Sequence, residues 1–287
     1  MTPGTHLFAG IRRTSWPILG LTIVAYAGAT LVVSTVLFQG RISEMLGWLY
    51  AATGFLIQSA LVGGLVGLAI VGVIFFGVGR LRGSDVGWGV AELWMGLLVT
   101  LGFWIAMNGV LVMLAVFSGG VFLDEAWQRR GATAVAGGLA GQLLGNALVE
   151  ETLFRGFLLP QFYLKAATAF RRGTALAIAV VGSSLLFAVS HIPNRLFIQG
   201  LTGSELMWDQ GGVFLLGLVF ATVYLVTRNL FVAVGLHALV NEPTLVIRAS
   251  NEDAVYAVWG GLTVLLLLTW WLAVVACNRT RRTPSGE

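Results

Sequence analysis

A chain of 287 residues that is 57% hydrophobic and only 10% charged cannot be a soluble globular protein, since an average soluble domain is about 25% charged. These proportions predict an all-α polytopic membrane protein, with the 38 glycines suiting close helix packing in lipid. The net charge of +4 then reports on topology and no nucleic-acid partner is expected, while the single Cys277 excludes a disulfide framework and a CxxC metal motif.

A short polar start carries Arg12 and Arg13, and the apolar run Pro17 to Phe38 is long enough to span. Gln39-Gly40-Arg41 does not resemble a signal-peptide cleavage site, so this run is read as the first helix. A second helix lies within Gly54 to Val78, bounded by Arg80 and Arg82, with Trp88 and Trp94 as interfacial anchors. The third runs from about Leu93 to Phe117 and is followed by a polar loop with Asp124, Glu125, Arg129 and Arg130. The fourth starts near Ala132 and continues to about Ala169, longer than a membrane needs. Its Gly137, Gly141 and Gly145 form a stripe that lets a neighbouring helix approach the backbone. The fifth spans Thr174 to His191 and is stopped by Pro193, and a polar loop reaches Gly212. Val213 to Thr227 is the sixth, and Leu230 to about Ile247 the seventh, kinked at Pro243. After a loop at Asn251-Glu252-Asp253, Ala254 to Cys277 forms the eighth, with Arg279, Arg281 and Arg282 beyond it.

Eight helices put both termini on one side. That side would hold Arg12, Arg13, Arg80, Arg82, Lys165, Arg171, Arg172, Arg228, Arg279, Arg281 and Arg282. The other would hold Arg41, Arg129, Arg130, Arg195 and Arg248, so the termini are expected in the cytoplasm. Residues 1–287 read as a single integral membrane domain with no internal repeat. The Gly- and Ala-rich composition and small size suggest a prokaryotic cell membrane.

Glu150-Glu151-Thr152-Leu153-Phe154-Arg155 lies inside the fourth helix, where ionisable groups are costly and mark function by default. Glu151 and Arg155, at i and i+4, share a helix face, and Glu150 is turned about 100° from Glu151. Arg155 would neutralise and fix Glu151, which braces the site and leaves Glu150 as a general base. A purely structural Glu–Arg pair would leave the second glutamate unexplained. Phe187 and His191 form a second i, i+4 pair on the fifth helix. His237 and Asn241 form a third on the seventh, presenting donors suited to a developing oxyanion.

The ordered set Glu-Glu-x-x-x-Arg, Phe-x-x-x-His and His-x-x-x-Asn on apolar helices resembles the CPBP family of intramembrane proteases. That family includes the CAAX prenyl endopeptidase called Ras-converting enzyme, and bacteriocin-processing and immunity proteins. The resemblance covers about Gly131 to Pro243, which marks a catalytic core of about 131–243. It implies an intramembrane endopeptidase in which Glu150 activates water, His191 holds that water, and His237 and Asn241 form the oxyanion hole. Glu151 and Arg155 would support them, with Phe187 beside His191. No cofactor is expected to be required, although Glu150, His191 and His237 could supply a three-ligand zinc site. The expected partners are the lipid bilayer and a peptide or membrane-protein substrate.

Two alternatives compete. A catalytically silent scaffold or immunity protein would not need all six motif positions filled, and an ion-coupled transporter should show repeated halves. Two features resist the reading. Glu242 adds a third carboxylate, which would pair with Arg248 or Arg195 or alter substrate choice. Depth is the other. Glu150 lies about 28 Å from the end of its helix at Ala169, whereas His237 is about 10 Å from the start of its own. A tilt, a kink or a misplaced boundary must close that gap. The prenyl-processing relatives act on cytoplasmic tails, but the sequence itself leaves the side of approach open.

Overall fold

Ser15 starts the first helix by accepting a hydrogen bond from the Ile18 N–H, and Pro17 sits in the first turn, where its missing N–H breaks no helical bond. The computed structural model describes residues 8–249 and 252–280; Asn251, Arg281 and Arg282 lie outside them. In chain order the main helices are α1 (Trp16–Leu37), α2 (Gly40–Ala52), α3 (Ser59–Val78), α4 (Val90–Phe117) and α5 (Glu125–Arg129). They continue as α6 (Gly131–Ala166), α7 (Arg172–Phe197), α8 (Gly203–Thr227), α9 (Leu230–Asn241) and α10 (Glu252–Thr280). Among the described residues seven helices are long and apolar enough to cross a membrane, and α9 is a shorter apolar helix. The chain is an all-α polytopic membrane protein.

Several boundaries differ from those predicted, for physical reasons. Apolar runs end with the lipid, but helices do not. α7 absorbs Pro193 and continues to Phe197, losing one backbone hydrogen bond. α8 begins ten residues before the predicted Val213, and its polar first turns are held to α7 by the Arg195–Asp209 ion pair at 2.8 Å. The stretch before α3 holds α2, a helix with no buried residues that leaves Met45 and Trp48 exposed.

The seventh predicted helix is broken rather than kinked. α9 ends at Asn241, before Pro243, after 12 residues or about 18 Å, short of a hydrocarbon core of about 30 Å. The following residues complete the passage as irregular chain alongside α4, with Thr244 in the left-handed region at a φ of 51°. Trp104 Nε1 donates to the Thr244 carbonyl at 3.0 Å, and Asn108 Oδ1 accepts from the Val246 N–H at 2.8 Å. Ile247 bridges Leu123 beyond the end of α4, and Trp127 Nε1 donates to the Leu245 carbonyl at 2.7 Å. Irregular backbone survives at this depth because other protein groups satisfy it.

The crossings sort the chain into two ends. At the terminal end, Thr14 N–H donates to Gln161 Oε1, Lys165 Nζ to the Thr14 carbonyl, and Arg12 Nη1 to the Arg80 carbonyl. The Arg228 guanidinium lies over the Phe8 ring at the same end. At the far end, Gln39 Nε2 donates to the Phe197 carbonyl, Gln58 Nε2 to the Ala134 carbonyl, and Arg130 pairs with Glu242. Trp259 of α10 donates to the Leu236 carbonyl, while Tyr256 lies with Asn241 around one cavity, so α10 runs back from far end to terminal end.

The glycine stripe of α6 does what its spacing suggested. Gly137 lies against the Phe55 carbonyl, Gly141 against Ala60, and Gly145 against Ala60, Leu61 and Gly64 of α3.

Candidate active site

α6 is not a uniform α-helix. It widens into π-helical turns at Gly141–Asn146 and Thr152–Leu158, and the two glutamates sit on the α-helical turn between them. Wide turns of this kind recur at functional sites. Glu150 is 6% exposed, Glu151 0%, Arg155 1% and His237 2%.

Glu151 is engaged through Oε1 alone, its buried Oε2 accepting no hydrogen bond from a described residue. It accepts from Arg155 Nη1 at 2.9 Å, and His237 Nδ1 lies 2.7 Å away. Arg155 also donates from Nη2 to the Gly217 carbonyl at 2.9 Å, tying α6 to α8. Because an ionised carboxylate can only accept, His237 carries its proton on Nδ1 and turns Nε2 to the other glutamate. That Nε2 lies 3.6 Å from Glu150 Oε2. His191 is fixed in the same way. Its Nδ1 lies 2.8 Å from the Phe187 carbonyl, which leaves Nε2 as an acceptor 3.8 Å from Glu150 Oε2. Glu150 Oε2 is buried and accepts no hydrogen bond from a described residue.

The depth gap closes because helix starts are staggered. Gly156 of α6 lies against the Val86 carbonyl, and Leu230 packs on Gly87, whose φ of 81° turns the chain towards α4. The start of α9 therefore lies level with Gly156, not with the end of α6. Glu150 is six residues before Gly156, about 9 Å, and His237 is seven residues into α9, about 10 Å.

Aromatic rings hold the pieces. Phe187 carries the Arg155 guanidinium 4.4 Å from its centroid and lies 4.7 Å from His191 and 5.8 Å from His237. Phe220 stacks on His237 at 4.5 Å and 16°.

Glu150, His191 and Asn241 line one cavity of about 670 Å³, with His237 buried behind Glu150. Asn241 Nδ2 donates to Gln142 Oε1 at 3.1 Å. A second, apolar cavity of about 300 Å³ between α1, α6 and α7 meets the first at Tyr26, Thr30 and Ser190. Sequence reasoning missed Gln142 and Asn146 on the wall, although they precede Glu150 at i−8 and i−4 on one helix face. Arg195, one turn beyond His191, was also missed as a lining residue, and Tyr26 of α1 carried no signal. Glu242 pairs with neither expected arginine. Its partner is Arg130 at 3.2 Å, because Arg195 is held by Asp209 and Arg248 by Glu125.

Glu150, His191 and His237 converge, but their 3.6 and 3.8 Å separations are wide for ligands of one zinc ion. Ligands about 2.0 Å from a tetrahedral ion stand ~3.3 Å apart. Among the described residues no group of three or more His, Cys, Asp or Glu side chains is set to hold a metal ion.

Residues 134–242 match the family described as Rce1-like, Type II CAAX prenyl endopeptidase Rce1-like. The match coincides with the stretch that carries the three motifs, so the resemblance drawn from them holds, and the family points to a CAAX-type intramembrane protease. No curated protein and no solved structure matches the chain.

Proposed function

We propose that this chain is an intramembrane endopeptidase in which Glu150 and His191 activate a water directly, without an acyl-enzyme and without an obligatory metal. The observation that carries the reading is the convergence of His191 Nε2 and His237 Nε2 on a buried Glu150 Oε2 at the wall of a cavity within the bundle. Two acceptors 3.8 Å apart suit one water that donates about 2.8 Å hydrogen bonds to both. Glu150 takes a proton from that water as its oxygen attacks the scissile carbonyl, then returns the proton to the leaving amine. The tetrahedral oxyanion is met by Asn241 Nδ2 and by His237, which for this role takes a second proton, on Nε2, from solvent before the attack while its Nδ1 proton stays held by Glu151. Before the attack Glu150, Glu151, Arg155 and His237 then sum to zero charge, and after it the protonated Glu150 leaves them a single positive charge that the oxyanion balances, as a buried cluster needs.

The apolar cavity beside the polar one suits an apolar substrate group next to the scissile bond. Leader peptides and membrane-protein tails fit this description. We place the protein in a prokaryotic cell membrane with both termini in the cytoplasm.

The test is cleavage of a peptide library by purified protein in detergent, wild type beside Glu150→Ala and His191→Ala, with and without a chelator. Cleavage should be lost in both variants and survive the chelator. Cleavage unchanged in both variants sinks the site assignment. Absence of cleavage by every variant favours a silent scaffold.

A further inference from the structure

The two ends of the bundle differ in charge far more than a net +4 suggests. Among the described residues the terminal end holds nine Lys and Arg, from Arg12 to Arg279, against the two acids Asp85 and Glu92. Arg281 and Arg282 follow α10 in sequence. The far end holds the five arginines Arg41, Arg129, Arg130, Arg195 and Arg248. Its acids are Glu44, Asp124, Glu125 and Glu205, and then Asp209, Glu242, Glu252 and Asp253. Four of those five arginines are ion-paired: Arg129 and Arg248 with Glu125, Arg130 with Glu242, and Arg195 with Asp209. Orientation follows the excess of Lys and Arg near span ends, which puts the terminal end in the cytoplasm.

The catalytic cavity belongs to the opposite end. Its rim is built from Phe38 at the close of α1, Ser59 at the start of α3, Arg195 and Gln199 at the close of α7, and Tyr256 in the first turns of α10. None of its lining residues comes from a terminal-end turn. We infer that the catalytic cavity opens on the extracytoplasmic face. The substrate is then a peptide segment presented on that face, either an exported peptide or the outward part of a membrane protein. What is cut rests on the protease reading above; which way the cavity faces does not.

The experiment uses the full chain in intact cells, with Cys277→Ser removing the only native thiol. Single cysteines are introduced as Thr202→Cys in the far-end turn, Ser59→Cys at the cavity rim and Thr168→Cys in the terminal-end turn. A membrane-impermeant maleimide should label the first two in intact cells and the third only after permeabilisation. The reverse pattern overturns the inference, and so does labelling at Thr202→Cys without labelling at Ser59→Cys. A second arm places one peptide selected from the library assay in two single-span reporters, facing outwards or inwards, coexpressed with wild type or Glu150→Ala. Loss of only the outward reporter, and only with wild type, is expected. Loss of only the inward one overturns the inference. Outward labelling with neither reporter cut leaves the orientation standing and sinks the protease reading.

Discussion

Glu150 and Glu151 are neighbours in sequence with opposite circumstances. Glu151 shares Oε1 between a guanidinium and an imidazole, whereas Glu150 Oε2 faces two imidazoles at 3.6 and 3.8 Å and bonds to neither. Neutralising each therefore separates catalysis from stability. Glu151→Gln leaves Arg155 buried without its carboxylate, and breaking such a pair costs about 3–5 kcal/mol. Its thermal midpoint in detergent should fall sharply. Glu150→Gln removes no hydrogen bond within the protein, so its midpoint should match wild type while peptide cleavage is lost. Equal midpoints for the two variants would show that Glu151 is not the brace. The motif residues were legible at this scale because charge in an apolar helix is conspicuous. Gln142 and Asn146 were not, because a neutral amide in a helix is unremarkable until the cavity it faces is seen. Nor could the partner of Glu242 be read, since three arginines compete for it and only packing decides.

The contact between α3 and α6 depends on missing side chains. A Cβ on Gly64 would collide with the Gly145 backbone, whereas one on Gly72, two turns along the same helix, meets nothing within 4 Å. Gly64→Ala should cost about 1–3 kcal/mol by overpacking, and Gly72→Ala should be neutral or stabilising by at most about 1 kcal/mol. Thermal unfolding of the two variants in one detergent makes the comparison. The broken crossing offers a second test. Asn108→Leu deprives the Val246 N–H of its acceptor, and loss of a part-buried hydrogen bond of this kind costs about 0.5–1.5 kcal/mol. Hydrogen exchange at Val246 should rise in that variant while exchange within α9 stays slow. Hydropathy located the spans reliably but not their ends. It cannot see polar turns that continue a helix past the lipid, as in α8, nor a short exposed helix such as α2. Pro193 and Pro243 show the limit of local rules: the first is absorbed within a helix and the second follows one that has already ended.

Across the whole molecule, the segment before α1 is fastened to the end of α6. Gln161 accepts from Thr14 N–H and donates to the Arg12 carbonyl, and Lys165 donates to the Thr14 carbonyl. These contacts lie at the terminal end, away from the cavity. Gln161→Leu should therefore make the N-terminal segment accessible to protease while cleavage of the library peptide persists. Loss of both together would mean that the segment supports the site.

The passage from Leu230 to Ile247 also bears on how the protein is made. Only 12 of its residues are apolar helix, and Glu242 and Pro243 follow at once. A segment of that kind has too little hydrophobic length to be recognised by the insertion machinery as a span. Its polar backbone finds partners on α4, on α5 and on the turn between them, synthesised more than a hundred residues earlier. On the orientation proposed above, the last helix would draw this segment across as the Lys and Arg excess of the terminal end keeps that end in the cytoplasm. A chain stopped before Glu252 should leave Ile247 on the cytoplasmic face, where a glycosylation acceptor placed after it in a microsomal translation assay would stay unmodified. In the chain that includes α10 the same acceptor would be modified, so His237, proposed for the oxyanion hole, would reach its place only after the ribosome has finished the helix that follows.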